Sequence, residues 1–344
     1  MRLQIGKIFS KINDRLILLR HIYPFVKKNE RRLISPNNTL CLFCQPRGGS
    51  TWLAEILLNI SNSVLIDEPL WRGRVVAPFT KSEYFTRKVS QISELNFFYN
   101  QYIPENADWP EAKNAFENIL AGRAVSIGLY DEQNLRKLKH GSYYITKFNY
   151  ANLLMPWLID QFSFSSILLT RHPCAVIASQ LKLPSWRDID PSQAESSEEF
   201  PYSDFYFSAL ERIGTIDSKE KYLASIWALG FKHTAMHPEN GKKWLTVSYE
   251  GLLNDNQYEL KRINERFSLN LLSLDIDHKK PSKSTKNHSL PYLRNNEQLS
   301  SWKKELSSKQ VNIILNVLDK FEIDIYSGML EPDYDKLYSM SKEL

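Results

Sequence analysis

Two short segments carry residue types suited to holding phosphate-like anions. The first is Gln45-Pro46-Arg47-Gly48-Gly49-Ser50-Thr51-Trp52. Gly48 and Gly49 let the backbone approach an anion closely and adopt φ > 0. Ser50 and Thr51 add hydroxyl donors, and Arg47 adds a permanent cation with several N–H groups. Between a strand and a helix, such a loop aims backbone amides at an anion near the positive end of the helix dipole. It is not a GxxxxGK[ST] loop: no Lys precedes Ser50, so the cation that serves the β/γ-phosphates of a triphosphate is missing. The second segment is SILLTRHPCAVIAS, residues 166–179. Arg171 stands at the end of an apolar run, Pro173 suits the first position of a helix, and Ser179 follows about 9 Å along that helix. An arginine and a hydroxyl so placed can clasp one phosphate against the helix flank. Taken singly, the two segments also read as a Gly-rich turn and as a strand-end arginine in an ion pair.

The surrounding pattern supplies the elements to position them. Residues 39–44 (TLCLFC) read as a buried strand, with a helix over 52–59. Residues 64–66, 124–129, 143–148, 166–170 and 243–249 read as further strands. Helices are expected within 82–120 and over 151–161, 173–181, 297–306 and 308–320. Strands alternating with helices predict an α/β fold with a mostly parallel central sheet covered on both faces. Residues 185–204 hold six acidic residues and two prolines and read as an acidic surface loop or insertion, with a lid as the alternative. The division expected is a basic arm (1–34), one α/β domain (37–325) and a polar C-terminal tail (326–344).

The two segments together, in this order, resemble the sulfotransferases that use 3′-phosphoadenosine 5′-phosphosulfate (PAPS). QPRGGSTW is similar to that family's 5′-phosphosulfate loop, and LLTRHPCAVIAS to its 3′-phosphate motif, with Arg171 and Ser179 at the matching positions. TVSYEGLLND (246–255) resembles its YE-x-L segment, and SSWKKELS (300–307) its C-terminal portion. PRGGSTW followed by DEPLW (67–71) looks closer to the carbohydrate and tyrosyl-protein branches than to the cytosolic small-phenol branch. The resemblance implies a P-loop-like three-layer α/β fold and sulfuryl transfer from PAPS, leaving 3′,5′-adenosine bisphosphate (PAP). It implies no metal, with cationic side chains serving the donor instead.

In-line sulfuryl transfer needs cations and amides around the donor and a base at the acceptor hydroxyl. Arg47 and the amides of Gly48 to Thr51 would hold the phosphosulfate, with Trp52 beside them, and Arg171 and Ser179 would hold the 3′-phosphate. Lys147 lies near the end of a predicted strand, where the family often places a lysine for the leaving oxygen. A His follows that lysine by two residues in the small-phenol branch, but here the position is Asn149, which cannot serve as a base. Glu68, after the strand at 64–66, is the candidate base; capping the next segment or pairing with Arg72 is its plain reading. In 279–286 (KKPSKSTK), Ser284 and Thr285 are candidate phosphate contacts. Trp71, Arg72 and Arg74 are candidates for the acceptor side, which the resemblance extends to a carbohydrate or glycolipid hydroxyl.

Composition narrows the remaining classes. The chain has 344 residues, 42% hydrophobic and 12% aromatic, enough for a sizeable core. Net charge is +5, but residues 1–34 alone hold nine Lys/Arg against two Asp/Glu, leaving a near-neutral body. That excludes a nucleic-acid footprint spread over the domain. The basic arm has helical apolar spacing through Leu16 and Leu19, read either as a helix packed on the domain or as a peripheral contact with anionic lipid. No signal peptide or membrane span is visible, so the expected location is the cytoplasm, with the inner membrane face as the alternative. Three cysteines make no disulfide framework. Cys41 and Cys44 fall on opposite faces of one strand rather than forming a metal pair. A P-loop kinase and a nucleotide-binding module without turnover stay open beside the transferase.

Overall fold

The computed structural model describes residues 16–70, 75–76, 95, 97, 100–126, 132–191, 200–269, 271 and 295–339. Trp71, Arg72, Arg74, Ser284, Thr285, the rest of the 279–286 segment, residues 192–199 and the first fifteen residues of the arm lie outside these.

Seven strands lie among the described residues: β1 (Thr39–Cys44), β2 (Ser63–Asp67), β3 (Val75–Val76), β4 (Val125–Ser126), β5 (Tyr143–Asn149), β6 (Ser165–Thr170) and β7 (Leu245–Ser248). Five of them form one sheet in the order β2-β5-β1-β6-β7, and every pairing in it is parallel. β1 is central and all six of its residues are buried. A strand covered on both faces needs an unbroken apolar run, which TLCLFC is. The residues expected to form a strand at 124–129 contribute only β4, which pairs antiparallel with β3 outside the main sheet.

The two-residue period divides the sheet between two cores. Cys41, Phe43, Phe148 and Leu168 face one layer, with Phe116, Trp157, Trp227 and Ile314 from the helices Pro110–Leu120, Met155–Gln161, Lys219–Thr234 and Ser308–Lys320. Leu40, Leu42, Cys44, Ile145 and Ile167 face the other, against Leu53 and Leu57 of the helix Ser50–Leu57, Leu252 of Tyr249–Asn254 and Ile263 of Asn256–Phe267. The result is a three-layer α/β fold. Cys41 and Cys44 are free, buried thiols in different cores.

Described segments near both ends of the chain pack onto this body. In the helix Tyr23–Lys28, Phe25 and Val26 are buried beside Tyr144, Val64 and Ile66, while Leu16 and Leu19, earlier in the arm, are exposed. At the other end Tyr326, Leu337 and Tyr338 are buried. The Tyr338 hydroxyl donates to the buried Glu259 carboxylate, and the Arg262 guanidinium lies 3.8 Å from the Tyr338 ring centre while pairing with Glu259 at 2.7 Å. Residues 326–339 are therefore part of the folded body.

In open parallel sheets, ligands bind beyond the carboxyl ends of the strands, where the chain reverses its direction of strand addition. Here the chain leaves central β1 for β2 and β5 on one side, then for β6 and β7 on the other. The β1 and β6 ends are where the segments at 45–52 and 171–179 begin.

Candidate functional site

The loop after β1 is tightly constrained. Arg47 adopts φ +71° and Gly49 φ +100°, so the left-handed residues are Arg47 and Gly49 rather than both glycines. Gly48 is required for a different reason: a Cβ there would overlap the Cys44 sulfur and the Gln45 carbonyl. A Cβ on Gly49 would overlap the ring of Tyr249. Gly49 also caps the helix Ser50–Leu57, its carbonyl accepting from Trp52 N (3.0 Å) and Leu53 N (3.2 Å). Gly49→Ala therefore combines an unfavourable φ with overlap against an aromatic ring. We expect a cost of about 2 kcal/mol or more, read as a lowered thermal midpoint. An unchanged midpoint would contradict this geometry.

The second segment arrives alongside the first. His172 takes an extended conformation (φ −46°, ψ 125°), as the residue before a proline prefers, and Pro173 opens the helix Pro173–Leu181. The two segments then join directly. Arg171 Nη1 donates to the Arg47 carbonyl at 3.0 Å, Arg47 Nε donates to Ser179 Oγ at 3.1 Å, and Gln180 Nε2 donates to the Pro46 carbonyl at 3.0 Å. Arg47, Arg171 and Ser179 thus form one cluster. Two neighbouring guanidiniums are costly without an anion. Burial, followed by the charge of Arg171, holds the Arg47 pKa below its ordinary value.

Tyr249 and Glu250 brace this cluster, which the sequence motif alone did not reveal. The Arg171 guanidinium lies 4.2 Å from the Tyr249 ring centre, and Trp52 meets the same ring edge-on at 5.6 Å. Gln298 donates to the Tyr249 hydroxyl. Glu250 is fully buried and accepts from His172 N (2.8 Å) and Ser248 Oγ (2.9 Å). Burial raises its pKa. The YE segment therefore fixes the turn carrying Arg171 against the loop carrying Gly49.

His172 is itself buried, stacked on Trp302 at 4.8 Å, with Nδ1 accepting from Cys174 N and Nε2 donating to the Ser327 carbonyl. Burial lowers its pKa to about 4, so it is neutral in the fold. A depressed folded-state pKa means that stability is complete above the unfolded value of 6.5 and is lost as pH falls toward 4. The loss is on the order of 3 kcal/mol. The thermal midpoint should fall over that interval, and His172→Gln should flatten the dependence; an equally steep fall in that variant would contradict it. Cys174, on the same turn, is pushed up to about 12 by burial, which leaves it a poor nucleophile.

A second group of charges sits on the other side of the loop. In β5, Ile145, Lys147 and Asn149 share the face covered by the helix Ser50–Leu57, since alternate residues point the same way. β2 pairs with β5 so that Asp67 lies opposite Lys147. The Lys147 ammonium, almost fully buried, lies 2.6 Å from Asp67 Oδ1 and 3.0 Å from Glu68 Oε1, and donates to Thr51 Oγ1 at 3.3 Å. Burial alone would lower its pKa, but the two carboxylates outweigh burial and raise it, so Lys147 is a fixed cation. Glu68 adopts φ +43°, with its N–H donating to the Lys147 carbonyl at 3.0 Å. Its Oε1 accepts from Asn149 Nδ2 at 2.6 Å, and Asn149 Oδ1 accepts from Ser50 Oγ at 3.0 Å.

The structure thus brings Arg47, Gly48, Gly49, Ser50, Thr51, Trp52, Glu68, Lys147, Arg171 and Ser179 to one edge of the sheet. Asp67, Asn149, Tyr249 and Glu250 are added to them. Ser284 and Thr285 lie outside the described residues. Among the described residues, no group of three or more His, Cys, Asp or Glu could hold a metal ion.

No protein-family model matches the chain, and no curated protein sequence matches it. Several solved structures are similar in shape. The sulfotransferase domain of the Synechococcus PCC 7002 olefin synthase is 16% identical, with a TM-score of 0.42, covering 84% of this chain and 96% of that one. The sulfotransferase domain from the curacin biosynthetic pathway is 17% identical, with a TM-score of 0.37, covering 83% and 98%. Mouse sulfotransferase SULT7A1 complexed with PAP is 14% identical, with a TM-score of 0.38, covering 95% and 96%.

Proposed function

We propose that this protein transfers a sulfuryl group from PAPS to a hydroxyl of an acceptor, with a carbohydrate or glycolipid as the favoured acceptor class. The observation that carries the reading is the junction of two anion segments through Arg47, Ser179 and Arg171. A donor phosphorylated at both its 3′ and 5′ positions needs two anion sites within the length of one nucleotide. A triphosphate instead needs one extended site with the lysine that this loop lacks. In the reaction, the acceptor oxygen forms a bond to sulfur as the sulfur–oxygen bond to the 5′-phosphate breaks. The electron pair of the broken bond stays on the phosphate oxygen of PAP, and the acceptor proton goes to Glu68. Arg47 and the amides of residues 48–51 would hold the phosphosulfate. Lys147, already charged, would stabilise the leaving oxygen by exchanging one of its present partners.

That exchange is also what favours a second reading, a nucleotide-binding module without turnover: Lys147 and Glu68 are paired with each other. Incubation with sulfur-labelled PAPS and probe hydroxyls, methyl hexosides and a long-chain glycoside in detergent, separates the two. Labelled product supports transfer; tight PAP binding with no labelled product and no release to water supports the module. The proposed location is the cytoplasm, with the inner membrane face as the alternative, reached through a contact of the basic arm (residues 1–34) with anionic lipid rather than by an arm packed on the domain. Among the described residues, no helix is long and apolar enough to cross a membrane.

A further inference from the structure

We infer that Asn149 is a positioning residue for the proposed base, holding the Glu68 carboxylate toward the donor loop and tying it to Ser50; this rests on the transferase reading above. Glu68 does not reach this position by local preference. Its φ of +43° is rare for a residue with a Cβ, and it stands just past the end of β2. Two contacts from β5 fix it there. The Lys147 carbonyl accepts the Glu68 N–H and sets the backbone; the Asn149 amide donates to Oε1 at 2.6 Å and sets the carboxylate.

Asn149 in turn has one defined orientation. Its Oδ1 accepts the Ser50 hydroxyl at 3.0 Å, which leaves Nδ2 as the donor to Glu68. Its backbone is also fixed, because Asn149 lies opposite Cys44 in the β5–β1 ladder, at the last residue before the anion loop. The chain Ser50–Asn149–Glu68 therefore runs from the first helical residue of the donor loop to the proposed base. Lys147 alone would not give this geometry, since it approaches the same Oε1 at 3.0 Å and is shared with Asp67. A single lysine contact leaves the carboxylate free to rotate about its own axis, and two donors from different directions on one oxygen do not. An amide serves here better than a titratable group, because it cannot take the acceptor proton intended for Glu68.

The isosteric change makes the test specific. Asn149→Asp keeps the shape and still accepts from Ser50, but replaces the donor to Glu68 with a second carboxylate at the same distance. Asn149→Ala removes the donor without adding charge. If Asn149 were only a packing residue, the Asp variant would retain more activity than the Ala variant. As a positioning residue, Asn149→Ala should lower kcat for PAP release from PAPS, with water as acceptor, by about 10- to 100-fold. Asn149→Asp should lower it further, and both should bind PAP as the wild type does. Glu68→Gln is measured beside them. Activity in Asn149→Asp at or above that of Asn149→Ala would overturn the inference, as would a changed PAP affinity without a changed kcat. Full activity in Glu68→Gln would overturn the base assignment on which it rests, and a wild type that neither releases PAP in water nor labels any of the probe hydroxyls would overturn the transferase reading itself.

Discussion

Arg171→Ala should remove the preference for a 3′-phosphorylated nucleotide. In the wild type, the guanidinium stacks on Tyr249 and donates one N–H to the Arg47 carbonyl, which leaves its remaining donors for an anion beside Ser179. Loss of a partly desolvated charge pair costs about 2–5 kcal/mol, or roughly 30- to several-thousand-fold in affinity. The loss should fall on 3′,5′-adenosine bisphosphate and spare 5′-AMP, because the 5′ loop keeps its glycines and amides. Arg171→Lys should recover only part of it, since an ammonium gives a point charge without the planar fork. Calorimetric titration of both nucleotides against the variant reads this directly. An equal loss for both would mean that Arg171 acts by holding the Arg47 loop in shape; unchanged affinity for both would remove it from the site.

Glu68→Gln should suppress turnover by roughly 100- to 10,000-fold, the range for a positioned general base, while PAP affinity stays as it was. The substitution keeps an oxygen for Asn149 to donate to, and Asp67 still neutralises Lys147 at 2.6 Å, so the fold should tolerate it. The thermal midpoint is the control. A variant that folds, binds PAP and turns over PAPS at the wild-type rate would exclude Glu68 as the base. Asp67, the other carboxylate on Lys147, would then be the next candidate, and the same measurement on Asp67→Asn would decide.

The parts of the fold that were legible in sequence are those with local signals. β1 and β6 are unbroken apolar runs ended by turns, and the helix Pro173–Leu181 has its proline at the first position. The glycines between β1 and its helix mark a tight turn in the sequence, although not which residues take positive φ. Other elements depended on partners far along the chain. The helix Asn256–Phe267 buries Glu259, Leu260 and Ile263 in an otherwise polar sequence, and the Glu259 carboxylate accepts from the Tyr338 hydroxyl about eighty residues later. Residues 326–339 read as polar for the same reason. The helix Lys219–Thr234 did carry a local signal, a Ser218 cap with Leu223, Trp227 and Phe231 four residues apart, but it is absent from the expectations above.

The candidate site divides in the same way. Arg47, Arg171 and Ser179 could be named from their motifs, but their hydrogen bonds to one another depend on β1 and β6 being neighbours. Asn149 appears in sequence only as a missing histidine. Its positive role requires the β2–β5–β1 order, which sets Glu68 and Ser50 on either side of it. Tyr249 and Glu250 sit in a segment recognisable only as a short motif, and their function is visible once Gly49 and Arg171 are seen against them.

The proposed chemistry depends on a site for a nucleotide phosphorylated at both 3′ and 5′ positions. Calorimetric titration of the full chain with 3′,5′-adenosine bisphosphate, against 5′-AMP and ATP with Mg²⁺, tests it most directly. Strong preference for the bisphosphate, with no need for magnesium, is the expected result. Preference for ATP with Mg²⁺, or no nucleotide binding by well-folded protein, would contradict it.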